Sequence, residues 1–144
     1  MIEPDTIKLL RECDAGIKMG VSSIKDVLPY VKDNEFKQAL RTCQNQHESL
    51  QEETDNMLHD YQDEGKEPAP MAKGMSWLKT NVKLAINESD QTIADLITDG
   101  CNMGVKSLSR YLNQYKAAEE RAKDIAKKLI HMEENLAADT RAYL

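Results

Sequence analysis

The sequence predicts an all-α protein: a four-helix bundle built from two copies of one helical hairpin, joined by a long crossover that carries a short helix of its own. Three observations predict it. Apolar residues recur at steps of three and four along four separate stretches, the spacing that gathers them on one face of an α-helix. One segment occurs twice: Gly16, Met19, Gly20, Val21, Ser23 and Leu28 return 84 positions later (16 to 100) as Gly100, Met103, Gly104, Val105, Ser107 and Leu112, with Ile24 answering to Leu108. Composition alone would give about one such identity, so the repeat marks a duplicated unit. Finally, the stretch DEGKEPAP at 63–70 opposes helix at Gly65, Pro68 and Pro70 and separates the two copies.

The first stripe is Ile7, Leu10, Cys13, Ile17, Val21, Ile24, Leu28 and Val31, which predicts a helix over about 5–32. Pro29 falls in its last turn, where a missing N–H and a fixed φ kink or end a helix. Asp33 and Asn34 are suited to cap the second helix, whose stripe runs Phe36, Leu40, Cys43, His47, Leu50, Thr54, Met57/Leu58 and Tyr61. Within the crossover, Met71, Met75, Leu78, Val82 and Ile86 share one face of a shorter helix, and 87–90 reads as a loop with an N-cap. The third helix carries Ile93, Ile97, Cys101, Val105, Leu108, Leu112 and Tyr115. The fourth carries Ala122, Ile125, Leu129, Met132/Glu133, Leu136, Thr140 and Leu144, and an offset of 86 maps Leu50, Thr54 and Leu58 onto Leu136, Thr140 and Leu144. No Gly or Pro marks the turn between helices three and four; the repeat alone places it at 116–119. The expected organisation is one domain over 1–144, with hairpin one at 5–62, the crossover at 63–89 and hairpin two at 90–144.

Hairpin, long crossover and second hairpin give the connectivity of ferritin-like bundles rather than of bundles with short loops throughout. On the pair GIKMGVSSI and GCNMGVKSL, the crossover PAPMAKGMSWL and the closing LIHMEENL, the chain resembles the ferritin-like, rubrerythrin-type superfamily, in particular a branch of small bacterial four-helix proteins. The resemblance covers nearly the whole chain. It implies a fold and not a reaction.

It also implies a test. A ferritin-like di-metal centre takes one inward Glu from each of two helices and a Glu-x-x-His from each of the other two, since hard carboxylates bridge the cations and each His adds a nitrogen on the same helix face. At the matching positions helices one and three carry Ile17-Lys18 and Cys101-Asn102. Helix two has Glu48 with Gln51 three residues on; helix four has Glu133 and Glu134 followed by Leu136 and Ala137. Neither motif is complete, and the expectation is a bundle centre plugged by Ile, Lys, Cys and Asn without a di-iron site. A rearranged site for Fe, Mn or Zn is the alternative: Cys43 and His47 lie four apart on the buried face of helix two, and Cys101, Glu133 and Glu134 come from helices three and four. Against it stands the simpler reading of Cys43 as a small core residue and His47 as a partnered core histidine.

Catalytic machinery is thin. There is no phosphate-binding Gly-rich loop, nucleophile elbow or HExxH. His59 and His131 read as surface residues, and Cys13 and Cys101 as buried and inert, because burial raises a thiol pKa. The helical glycine pairs Gly16/Gly20 and Gly100/Gly104 each cost about 1 kcal/mol against Ala, which predicts close packing of helices one and three, or a guest in the gap between them. Lys18 and Asn102, at equivalent positions, read as surface and boundary residues, with a mutual buried contact as the alternative.

A net charge of −6 and the lack of a Lys/Arg run with interleaved aromatics argue against nucleic-acid binding. Three widely spaced cysteines without CxxC fit reduced thiols. The acidic, polar start at 1–5 is unlike a signal peptide, and the expected location is the cytoplasm. The crossover helix, with Met71, Met75, Trp77, Leu78 and Val82 opposite Lys73, Lys79 and Lys83, is the candidate interaction surface: first against its own bundle, then a protein partner or a second copy, and last a membrane surface. The functional expectation is a non-catalytic scaffold or protein-interaction module without cofactor, not an enzyme. The alternative is a metal-binding or oxidoreductase protein with a rearranged site.

Overall fold

A computed structural model describes residues 4–61, 63, 65 and 89–144. The proposed interaction helix with Met71, Met75, Trp77, Leu78 and Val82 lies outside the described residues. Four α-helices make up most of the described residues: α1 (Pro4–Val27), α2 (Asn34–Asp60), α3 (Asp90–Gln114) and α4 (Glu120–Thr140). Short 3-10 turns, Leu28–Tyr30 and Arg141–Tyr143, follow α1 and α4. Among the described residues there is no strand. The protein is an all-α four-helix bundle.

Local chemistry explains the helix ends. Pro29 lies in the 3-10 turn that ends α1, so the helix closes at Val27, ahead of the ring rather than kinked by it. Asp33 then caps α2: its carboxylate accepts the Phe36 N–H at 2.9 Å, satisfying one of the orphan donors of the first turn. Asp90 reaches back to the same corner, where its two carboxylate oxygens accept the N–H groups of Lys32 (2.9 Å) and Asp33 (2.8 Å). This ties the start of α3 to the α1–α2 turn. The turn between α3 and α4 falls at 115–119, where the repeat predicted it.

The stripes read from the sequence become two stacked apolar clusters. One, near the α1–α2 turn, joins Ile24, Val27, Phe36, Leu40, Ile93, Ile97 and Leu136; the ring of Phe36 stacks on Tyr143 with centroids 4.5 Å apart. The other, at the opposite end, joins Leu9, Leu10, Ile17, Leu50, Leu58, Leu108, Ile125 and Leu129. α2 ends in the second cluster and α3 begins beside the first, so Asp60 and Asp90 lie toward opposite ends of the bundle, about 36 Å long for a 24-residue helix. The chain's exit from α2 is pinned: Arg11 grips both carboxylate oxygens of Asp63, with Nε 3.1 Å from each, and Gly65 adopts φ +82° against the buried Asp14 carboxylate.

The helices are not equally close. α1 packs on α2 and α3 on α4 as hairpins, and α4 lies against both α1 and α2, while α1 and α3 touch least among the neighbouring pairs. That uneven spacing creates the site.

Candidate functional site

Between the two apolar clusters lies one polar layer. His47 of α2 is 1% exposed, and its imidazole lies between two acceptors: Nδ1 is 2.8 Å from the carbonyl oxygen of Cys43, and Nε2 is 3.2 Å from Oε1 of Glu133 on α4. The thiol sulfur of Cys43 is 3.5 Å from Nδ1. Burial by itself pulls the imidazole pKa down, but the hydrogen bonds and charges of Cys43 and Glu133 outweigh it and push the pKa up to about 10. As an imidazolium, His47 donates from both nitrogens. The Cys101 thiol of α3 completes the group: burial, then the charge and hydrogen bond of Glu133, then Cys43, hold it well above the ordinary thiol range. Cys13, buried in the lower cluster, is pushed up to about 12, chiefly by burial. Neither thiol has the character of a nucleophile.

His47 and Glu133 are 86 positions apart, the offset that relates α2 to α4. They are the two residues that this offset pairs, and they meet between the hairpins. That is also where a ferritin-like fold places its di-metal centre. The donor set does not fit such a centre. Gly16, Gly20, Gly100 and Gly104 line the α1 and α3 walls, where carboxylates would be needed, and the His47 ring is committed to Cys43 and Glu133. Among the described residues no group of three or more His, Cys, Asp or Glu side chains is arranged to hold a metal ion. Cys43, His47, Cys101 and Glu133 do come together as the spacing suggested, but as a hydrogen-bonded chain rather than around a common point about 2.0–2.3 Å from each donor. Glu134 is exposed and pairs with His131 at 3.5 Å.

The centre is not plugged. Ile17 and Cys101 are buried there, but Lys18 turns away to Asp14, 2.9 Å from its carboxylate, and Asn102 is exposed. The alternative of a buried Lys18–Asn102 contact does not form. What opens on the layer is a cleft of about 600 Å³ between α1 and α3, with His47 and Glu133 in its lining. Four of the six repeated identities line it as equivalent pairs: Gly16 with Gly100, Met19 with Met103, Gly20 with Gly104 and Ser23 with Ser107.

The expectation of close α1–α3 packing at the glycines is therefore corrected. A Cβ on Gly20 would come within 2.8 Å of the His47 ring, one on Gly104 within 3.4 Å of the Glu133 carboxyl carbon and one on Gly16 within 3.5 Å of Leu129. One on Gly100 would meet nothing within 4 Å. None would press on the facing helix. The glycines leave room for the polar layer and for the cleft, and the small side chains at these positions are what the repeat retains. At one end of the cleft Tyr111 of α3 hydrogen-bonds Glu12 of α1; burial, then the charge and hydrogen bond of Glu12, raise the phenol pKa.

A second polar group, not foreseen from the sequence, lies between α1 and α2. Asp14 is fully buried, with Lys18 Nζ 2.9 Å and Gln51 Nε2 3.2 Å from its carboxylate oxygens. Asp55 is linked to it, and burial, then the charge of Asp14 and the hydrogen bond to it, raise the Asp55 pKa.

No family model, curated protein or solved structure matches the chain.

Proposed function

We propose that this chain is a non-catalytic binding protein of ferritin-like descent, in which the place of a metal centre has become a cleft for a small apolar molecule. The observation that carries the reading is the location of the repeated residues. Glycine in mid-helix costs about 1 kcal/mol against Ala, and four such positions are retained where they widen a cavity instead of bringing backbones together. The volume falls within the range of small-molecule sites, and the lining combines aliphatic and methionine side chains with glycines and a few convergent polar groups. Such a protein would act through what it holds and needs no cofactor.

Calorimetric titration with 1-decanol, a neutral apolar probe, tests this. One site per chain is expected, and it is lost in the double variant Gly100→Leu/Ser107→Leu, which fills the cleft from two positions on one face of α3 without touching the core. No heat of binding from decanol or from its charged analogues, in a protein that melts cooperatively, would overturn the proposal.

A protein partner or a second copy over the same opening is the second reading. It is favoured by Met103, which lies on the lining and is 57% exposed. Light scattering separates the two, since a dimer that dissociates in Met103→Lys would favour the partner.

A further inference from the structure

We infer that the cleft between α1 and α3 selects a cationic amphiphile: an apolar body carrying a protonated amine, in preference to an alcohol or a fatty acid. This inference rests on the small-molecule reading and adds the chemistry of the head group. The argument is the charge inventory of the lining. Setting aside the neutral Cys101 thiol and Tyr111 phenol of α3, each helix contributes one titratable group to it: Glu12 from α1, His47 from α2, Asp99 from α3 and Glu133 from α4. Three are carboxylates, and among the described residues of the lining there is no Lys or Arg.

The single cationic group is not available to an anion. His47 directs one ring nitrogen to the Cys43 carbonyl and the other to Glu133 Oε1, so its donors are taken. Glu133, by contrast, is a carboxylate with about four lone-pair sites, and the His47 ring and the Cys101 thiol take only two of them. Its side chain is 13% exposed, and Oε2 lies toward Gly104, 3.5 Å from where a Cβ would stand, on the cleft side. An ammonium group there would find a carboxylate oxygen beside a glycine that leaves it space, with Asp99 on the same wall at the exposed rim. A carboxylate head there would meet the Glu133 carboxylate instead, with the one nearby cation, His47, already turned to it, in a setting less screened than open water. The aliphatic body would lie along Ile24, Leu108, Leu129 and Leu136, which join the two apolar clusters across the polar layer.

Chain-matched decylamine, 1-decanol and decanoate, each titrated below its micellar concentration at pH 7, read this directly. Decylamine is expected to bind at least tenfold more tightly than decanol, with decanoate weakest. Glu133→Gln keeps an acceptor for His47 and should reduce the amine-over-alcohol ratio at least fivefold. Asp124→Asn, a charge removed from the exposed side of α4, should leave the ratio unchanged, which excludes general attraction to an acidic protein. Decanol or decanoate binding as tightly as decylamine, or an unchanged ratio in Glu133→Gln, overturns the cation preference while the cleft reading survives. Binding of none of the three overturns both.

Discussion

The two hairpins carry different chemistry at equivalent positions. In the first, position 14 is a buried aspartate that holds Lys18 and Gln51 and is linked to Asp55. In the second, 84 and 86 positions on, the counterparts of Asp14, Lys18, Gln51 and Asp55 are Thr98, Asn102, Ala137 and Arg141. There the polar contact is neutral: the hydroxyls of Thr98 and Thr140 are 3.0 Å apart, and Thr140 also donates to the Ala137 carbonyl. Thr54 in the first hairpin does the same to Leu50. The shared threonines serve the helix, whereas the charged set exists only where the crossover leaves, with Gly65 against Asp14. The two hairpins thus share a packing scheme but not a charge set. At the centre the divergence goes further, with an imidazole in one half facing a carboxylate in the other.

The largest effect should come from that central pair. His47→Leu leaves the Glu133 carboxylate in the interior without its cation and should cost about 3–5 kcal/mol in urea unfolding, most of it recovered in the double variant with Glu133→Leu. The pair also predicts a pH profile. The pKa of folded His47, about 10, lies above the unfolded value of 6.5, so its contribution is complete below about pH 6.5 and disappears as pH rises through 10. Stability should fall by several kcal/mol between pH 6.5 and 9 in the native sequence and stay nearly flat there in the double variant, below the range in which the buried Cys13 and Cys101 thiols add their own loss; a flat native profile would show that the two halves are not joined by charge.

The charged set of the first hairpin comes next. Asp14→Thr imports the residue of the second hairpin and removes the acceptor of Lys18 and Gln51; a loss of about 2 kcal/mol is expected by urea unfolding. Adding Lys18→Asn, which completes the exchange, should restore about half. If the single exchange is neutral, the charged set is not structural.

The glycines sharpen the comparison with opposite signs. Gly20→Ala would drive a methyl into the anchored His47 ring and should lose about 1–3 kcal/mol. Gly100→Ala meets no neighbour and should gain about 1 kcal/mol from helix propensity. Melting temperatures moving in opposite directions would confirm room for the site in one place and an open wall in the other. The smallest effect is expected at Asp55, a largely exposed carboxylate whose pKa is raised. It costs stability above its unfolded pKa, and Asp55→Asn should raise the melting temperature slightly at pH 7 and not at pH 3.

How far these features could be read in advance differs from element to element. The Asp33 cap and the turn at 115–119 follow from chain chemistry or from the repeat, whereas the apolar stripe carried α1 on to residue 32 and the structure ends it at Val27, before Pro29. The meeting of Cys43, His47, Cys101 and Glu133 was legible as a candidate cluster because heptad-like spacing fixes which face of each helix looks inward. The same spacing misjudged the glycines: small residues on an inward face suit a close helix contact and a cleft equally well.

What the residues determined alone is therefore directional: four amphipathic helices, their inward faces, their duplication and the polar residues on those faces. Periodicity is a one-dimensional property, and these features are one-dimensional. The distance between α1 and α3, the direction in which Lys18 turns and the partnership of His47 with Glu133 depend on how four cylinders settle against one another. Side chains on all of them set that spacing together, so only the assembled bundle could decide that the glycines face an opening instead of a neighbour.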